Sequence, residues 1–171
     1  MIIRYIGGAL VIGACSFLGV HIGNQGKRRN KDLLELKKSL IMLKSHLEYA
    51  IHSLPQAFYL VSERVNNPFD DFYKNMAEKL GGADANITAI WNEGINELKQ
   101  GHLSKDDLGG LDMLGSALGQ ADVASQTNAI DMLLLTIDEN LKTLHVESAK
   151  NSRMYRGLGV VSGLLITIVL L

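Results

Sequence analysis

The sequence predicts an all-α protein in which a cytoplasmic bundle of about six helices lies between N- and C-terminal transmembrane helices. Apolar residues in the middle recur at helical spacing, both ends contain long uncharged stretches, and only two prolines occur in 171 residues. Because β-branched and aromatic runs are scarce between the ends, helix is favoured over strand. We therefore divide the chain into a transmembrane helix over residues 1–26, a bundle over 27–156 and a transmembrane helix over 157–171.

The N-terminal segment has no formally charged side chain from Tyr5 to Ile22. As a helix these residues would span about 27 Å, close to the thickness of a hydrocarbon core. Lys27, Arg28 and Arg29 follow closely. By the positive-inside rule, this cationic cluster places the downstream chain in the cytoplasm and the N-terminus outside.

Two other interpretations of this segment are a cleaved signal peptide and a lipidated cysteine at Cys15. No Ala-x-Ala-like site is followed by a polar start, and the positive charge after the apolar run opposes export. Ile12-Gly13-Ala14-Cys15 resembles a lipoprotein cleavage box, but apolar sequence continues beyond the cysteine to Ile22. A membrane-buried cysteine is therefore favoured.

The C-terminal segment, residues 157–171, is also free of charge and follows Lys150, Arg153 and Arg156. As a helix it would extend about 22 Å, which is short for a complete span. A buried hydrophobic tail is the alternative. Since basic residues flank the inner side of both segments, both termini are predicted to lie outside and residues 27–156 in the cytoplasm.

Each end segment contains a Gly-x-x-x-Gly spacing, which allows two helix backbones to approach closely in lipid. The four glycines are Gly19, Gly23, Gly159 and Gly163. This spacing predicts packing between membrane helices.

The first helix of the bundle is predicted from about residue 31 to residue 53, because apolar residues follow one another at alternating steps of three and four. These residues are Leu33, Leu36, Leu40, Leu43, Leu47, Ala50 and Leu54. Pro55 suits the first turn of a second helix, which is predicted to end before a turn at residues 66–68.

The next two helices are bounded by glycines. The third follows Pro68 and ends at Gly81-Gly82, since glycine commonly caps helix C-termini. The fourth is predicted to begin at an N-cap on Asp84 and to end near Gly101.

The fifth helix has the best-defined start, where Ser104 and Asp107 fit a capping box. Gly119 is predicted to end it. From Asp122 neither proline nor glycine occurs until Gly157, which predicts one long sixth helix continuing into the membrane. On that helix we expect Asp138 and Lys142, four residues apart, to form a surface ion pair.

No constellation of residues indicates catalysis. The five histidines are scattered, one cysteine cannot build a multi-cysteine site, and no phosphate-binding loop or nucleophile elbow occurs. Adjacent acidic residues on a helix do not converge on one point. We therefore predict a non-enzymatic protein without catalytic residues, metal or cofactor, and its net charge of -1 gives no attraction to nucleic acid.

The segment from Leu114 to Gln126 leaves two interpretations open. Gly119 and Asp122 can end one helix and begin the next. The sharper alternative is a polar, partner-facing patch around Asp122 and Gln126. For partner binding we therefore select Asp122 and Gln126 together with the basic cluster Lys27, Arg28 and Arg29.

The pattern Leu-Gly-x-x-Leu-Gly-x-x-Asp-x-x-x-Gln in this segment, followed by Ala-Lys-Asn-Ser-Arg-Met-Tyr-Arg-Gly-Leu-Gly at 149–159 and an apolar tail, resembles the stage III sporulation protein AB family. Residues 54–58 and 103–106 also resemble family segments, so the resemblance covers nearly the whole chain. His52-Ser53 stands where Thr-Pro is expected, and Lys44 and His46 where acidic residues often occur.

The resemblance implies a subunit of a secretion-like channel complex between mother cell and forespore during endospore formation. It implies a location in the outer forespore membrane, with the bulk of the chain in the mother-cell cytoplasm. Its bundle would be similar to the cytoplasmic domain of type II secretion and type IV pilus platform proteins. By that analogy the partners would be membrane lipid, sister membrane subunits and a cognate secretion-type ATPase.

The main hypothesis is therefore a membrane scaffold that couples an ATPase to a transport assembly. A membrane-anchored sensor or signalling module is the alternative, and a lipid-modifying enzyme would have only His21 and the flanking cations available. Self-association into a homo-oligomer is left open.

Overall fold

The computed structural model describes residues 26–50, 52–82, 85–120 and 122–144, and these residues form six helices with no strand among them. The helices are α1 (26–48), α2 (Leu54–Ser62), α3 (Phe69–Leu80), α4 (Ile87–Leu98), α5 (Lys105–Leu118) and α6 (123–144). The all-helical fold class is confirmed for this part of the chain.

The two predicted transmembrane segments, 1–26 and 157–171, lie outside the described residues except for Gly26. In the part of the chain that is described, no helix is both long and apolar enough to cross a bilayer. Residues Arg29–Leu141 form one compact unit, and the fold described below is that of this unit.

α1 contributes one row of buried leucines to the core. Its predicted seam is buried from Leu33 to Leu47. The helix ends at residue 48 and not at residue 53 as predicted, and Ala50 is exposed. The Tyr49 N–H still bonds to the Ser45 carbonyl, and the His52 N–H then donates to the His46 carbonyl, so the chain turns out of α1 before Pro55 opens α2.

An aromatic cluster fills the centre of the unit. Phe72 meets both Tyr73 and Trp91 edge to face, with each pair of ring centroids 5.1 Å apart, and Phe58 lies against Tyr73 and Trp91. The Tyr73 hydroxyl shares a 3.0 Å hydrogen bond with Ser39 of α1. Burial raises the pKa of Tyr73, despite the opposing effect of the Ser39 hydrogen bond. The cluster therefore joins α1, α2, α3 and α4 into one core.

The helix ends follow local chemistry. Pro55 lies in the first turn of α2, Gly81 and Gly119 are the C-caps of α3 and α5, and Ser104 forms the predicted capping box with Asp107. The predicted N-cap of α4 is wrong. Asn86, not Asp84, occupies that position, because the Asn86 side chain is three residues before Ala89 and accepts a hydrogen bond from its N–H.

Candidate functional site

A polar network at the start of α5 centres on the buried carboxylate of Asp107. Asp107 is 2% exposed and accepts two hydrogen bonds from the Arg29 guanidinium, at 2.9 and 3.1 Å. Arg29 also donates to the Ser104 hydroxyl, and Asn140 donates to Asp107 at 2.8 Å. The network therefore ties α1, α5 and α6 together through one carboxylate.

The Asp107 carboxyl remains ionised in this setting. Burial alone would raise its pKa, but hydrogen bonds from Arg29 and Ser104 outweigh that effect and hold the pKa below its usual value. Ser104 contributes its backbone N–H, which donates to Asp107 at 2.8 Å, and to a smaller extent its hydroxyl. A carboxylate with this many donors is suited to fixing helices in place and not to accepting a proton from a substrate.

A second polar contact joins α1 to the α4–α5 connection. His102 Nδ1 lies 3.0 Å from the Asp32 carboxylate, which is largely buried. Asp32 follows Arg29 by one helical turn, so both residues point toward the segment that leads into α5. His102 is thus hydrogen-bonded to a carboxylate 70 positions away in the sequence.

A ladder of two ion pairs joins α1 to α6. Lys37 Nζ lies 2.6 Å from Asp138, and Lys44 Nζ lies 2.6 Å from Asp131. Each pair is separated from the other by about two turns on both helices, and the numbering runs in opposite directions, so α1 and α6 are antiparallel neighbours. We refer to these four residues as the Lys–Asp ladder.

The ladder replaces the surface pair that the sequence predicts within α6. Asp138 pairs with Lys37 of α1 and not with Lys142, because the antiparallel packing of α1 brings a cation to the flank of Asp138. The hydrogen bond from Lys44 to Asp131 raises the pKa of Lys44. Lys44 therefore has a structural partner within this chain.

The α5–α6 junction contains the predicted patch around Asp122 and Gln126. The Gln126 side chain is 5% exposed, and its amide donates to the carbonyls of Leu118 and Gln120 at 3.1 and 2.6 Å. Gln126 therefore satisfies the open carbonyls at the end of α5. This geometry supports the capping interpretation of Gln126 and does not fit the exposed, partner-facing position that we expected.

Asp122 is exposed and caps the start of α6. Its carboxylate accepts from the Ser125 hydroxyl at 2.8 Å and from the backbone N–H groups of Ala124 and Ser125. The hydrogen bond from the Ser125 hydroxyl makes the largest contribution to lowering the pKa of Asp122, and the two backbone N–H groups lower it further. The junction is thus closed from both sides, because Gln126 of α6 caps the end of α5 and Asp122 caps the start of α6. Partner binding by Asp122 stays a prediction.

The predicted basic cluster is divided. Lys27 and Arg28 are exposed, whereas Arg29 turns inward to Asp107. The expectation that Arg29 acts with its neighbours as a docking cation therefore does not fit its position, because its guanidinium already has two partners inside the chain. Lys27 and Arg28 remain candidates for partner contact.

The glycines predicted to pack in the membrane, Gly19, Gly23, Gly159 and Gly163, lie outside the described residues. Within the described ranges, no group of three or more His, Cys, Asp or Glu side chains is placed to hold a metal ion.

Sequence reasoning misses the contacts between helices. Lys37 and Lys44 stand seven residues apart, as do Asp131 and Asp138, and this shared heptad spacing is the signal that could have indicated the ladder. The pairing of Arg29 with Asp107 has no such signal, because it is a single contact and no repeated spacing marks its two residues.

Comparison with known protein families gives a match over residues 4–171 to the family described as stage III sporulation protein AB. A protein of Bacillus subtilis (strain 168) named stage III sporulation protein AB is 22% identical over 170 residues, which cover 99% of each chain.

A solved structure carrying the name stage III sporulation protein AB (SpoIIIAB) has a TM-score of 0.66 and 17% identity to this chain. The likeness covers 71% of this chain and 97% of that one. At this identity it shows a shared fold. Because the family match extends over nearly the full length, this chain belongs to the stage III sporulation protein AB family.

Proposed function

We propose that this protein is a non-enzymatic membrane scaffold subunit of a secretion-like channel complex between mother cell and forespore, and that it docks a cognate secretion-type ATPase. Membership of a sporulation family supports the cellular role. The observation that supports the scaffold role is that buried and half-buried charged side chains link helices to one another. Arg29, Asp107 and the Lys–Asp ladder join different helices to one another and do not converge on a shared cleft.

Such cross-links suit a rigid adaptor. The ladder joins the first described helix to the last one, and Asp107 joins both of these to α5. A force or a docking event on one helix would therefore reach the others without repacking the core. This property is useful in a subunit that holds an ATPase against a membrane assembly.

The proposed location is the outer forespore membrane, with the bulk of the chain in the mother-cell cytoplasm. The exposed pair Lys27 and Arg28 would then lie beside the predicted N-terminal transmembrane helix, where cations interact with anionic headgroups or with an acidic partner surface.

The test is affinity capture of the tagged full-length chain from sporulating cells after mild cross-linking. We expect to recover a secretion-type ATPase together with sister membrane subunits. Recovery of neither class would contradict the proposal, and recovery of receiver or kinase proteins in their place would favour the signalling module.

Charge reversal sharpens the test. Lys27→Glu with Arg28→Glu should reduce recovery of the partners and the yield of heat-resistant spores. The matched control reverses two other exposed cations, Lys74→Glu with Lys105→Glu, and should leave both unchanged. A terminal tag on each variant is tested for protection from added protease. Unchanged protection indicates a docking defect, whereas changed protection indicates an inverted membrane topology.

A further inference from the structure

The outer side of the Lys–Asp ladder exposes large aliphatic side chains. Ile41 lies four residues after Lys37 and three before Lys44, and Leu135 lies in the same way between Asp131 and Asp138. Both therefore occupy the middle of the ladder on its outward flank. Ile41 is 49% exposed and Leu135 is 71% exposed.

Two further aliphatic residues extend this surface, Leu34 on α1 at 49% exposure and Met132 on α6 at 70%. We call the combined surface the α1/α6 face. It consists of the Lys–Asp ladder together with Leu34, Ile41, Met132 and Leu135. Four exposed aliphatic side chains among half-exposed ion pairs are typical of an apolar centre with a polar rim.

The four charges of the Lys–Asp ladder are separated by helix. The ladder cations all come from α1, and the ladder anions all come from α6. The side chains of Lys37 and Asp138 are 33% and 41% exposed, so each can contact a further group from outside. The ladder is therefore a positive row beside a negative row, with aliphatic side chains between the charges. Glu48 of α1, whose carboxylate lies 3.9 Å from Lys44, adds one anion at the end of the positive row.

Such a face is complementary to itself. A twofold axis parallel to the helices and midway between them would place α1 of one copy over α6 of the other. Lysines would then meet aspartates at both ends, and Ile41 would meet Leu135 in the middle. A twofold axis perpendicular to the helices would instead place α1 on α1, with lysines facing lysines.

The geometry points to the α1/α6 face as a self-association surface, on which a second copy of this chain docks with α1 over the partner's α6. This inference goes beyond the scaffold role and does not depend on ATPase docking. It identifies the occupant by charge complementarity and commits to one of the two twofold arrangements.

The test is a charge-swapped full-length chain carrying Lys37→Asp, Lys44→Asp, Asp131→Lys and Asp138→Lys. The swap reverses the ladder but keeps its internal pairs, so the fold should be retained. Native and swapped chains should each associate with themselves in detergent micelles. Mixed association, measured by co-purification of two different tags, should fall roughly tenfold, because like charges then face each other across the interface.

Two outcomes would overturn the inference. If native and swapped chains associate with each other better than with themselves, the arrangement is α1 on α1. If the native chain remains a single copy per micelle across its accessible concentration range, the face is not a self-association surface and its occupant is a different protein.

A second pair of variants locates the interface independently. Leu135→Glu should abolish self-association, because it places a charge at the apolar centre. Met113→Glu is the matched control, since Met113 is 76% exposed on α5, and it should have no effect. Equal behaviour of the two variants, whether both associate or neither does, would contradict the proposed face.

Discussion

The indole ring of Trp91 occupies the space that a side chain on Gly115 would need. A Cβ atom added to Gly115 would overlap Trp91 Cδ1 and lie 2.8 Å from Cγ. The ring is fully buried, and its Nε1 donates a 2.8 Å hydrogen bond to the carbonyl of Leu111. The first glycine of the Leu-Gly-x-x-Leu-Gly motif is therefore explained by the close packing of α4 on α5.

We expect Gly115→Ala to lower the free energy of unfolding by about 2 kcal/mol, because the added methyl group forces Trp91 out of a packed position. Thermal unfolding followed by circular dichroism measures the change. Gly109→Ala is the control on the same helix. No atom lies within 4 Å of a Cβ at Gly109, so alanine should be neutral or stabilise α5 by up to about 1 kcal/mol. If Gly115→Ala left the free energy of unfolding unchanged, the close packing of Trp91 on Gly115 would be contradicted.

Removing the Arg29 guanidinium should destabilise the protein. We expect Arg29→Met to lower the free energy of unfolding by about 2 kcal/mol, since it leaves the buried Asp107 carboxylate without its cation while water still reaches part of the site. The neighbouring Arg28→Met, at an exposed position, should change stability little. Urea unfolding of both variants in the same detergent tests this difference, and equal midpoints would show that the ion pair contributes nothing.

The free energy of unfolding should also depend on whether the Asp107 carboxyl is ionised, and should therefore change at acid pH. Its pKa is lowered in the folded state, so its contribution is complete above the pKa of the unfolded chain and is lost as the pH falls through the folded value. The stability gap between the native chain and Asp107→Asn should therefore be largest near neutral pH and should shrink below about pH 4. Urea midpoints over this pH range measure it. A gap that stays constant in acid would contradict the assignment. Glu35 and Asp122 also have lowered pKa values, so the variant keeps some acid sensitivity.

Gln126→Ala distinguishes a helix cap from a binding residue. Loss of its two hydrogen bonds leaves the carbonyls of Leu118 and Gln120 without that donor, and we expect stability to fall by about 1–2 kcal/mol. Asn128→Ala, at an exposed position on the same helix, should have little effect. If Gln126→Ala instead left the unfolding midpoint unchanged and weakened association with partners, the partner-facing interpretation would be correct.

The elements that were predictable from sequence are those set by local chemistry. The capping box at Ser104, the first-turn position of Pro55 and the C-cap at Gly119 depend on residues within one or two turns. The apolar seam of α1 follows from periodicity in the same way. The N-cap of α4 shows the limit of this approach, because Asp84 and Asn86 are chemically equivalent caps and only the path of the chain chooses between them.

The contacts that define the candidate site were not predictable in this way, because they depend on which helices are neighbours. A seam such as that of α1 shows that the helix faces a core but not which helix lies on its flank. Arg29 therefore appeared to belong to an exposed cluster, although its guanidinium pairs with Asp107. Gln126 appeared to be a surface residue for the same reason, since its hydrogen-bond partners lie at the end of another helix.

The closed junction between α5 and α6 fixes the rotational phase of α6. Asp122 holds the first turn of α6, and Gln126 attaches that turn to the end of α5. One residue inserted in α6 between Gln126 and Asp131 would rotate the rest of the helix by about 100° relative to Gln126 and carry Asp131 and Asp138 away from their lysines. The number of residues between the cap and the ladder is therefore as constrained as any side chain in the ladder, and variation in chain length should be tolerated in the connections between helices before it is tolerated here.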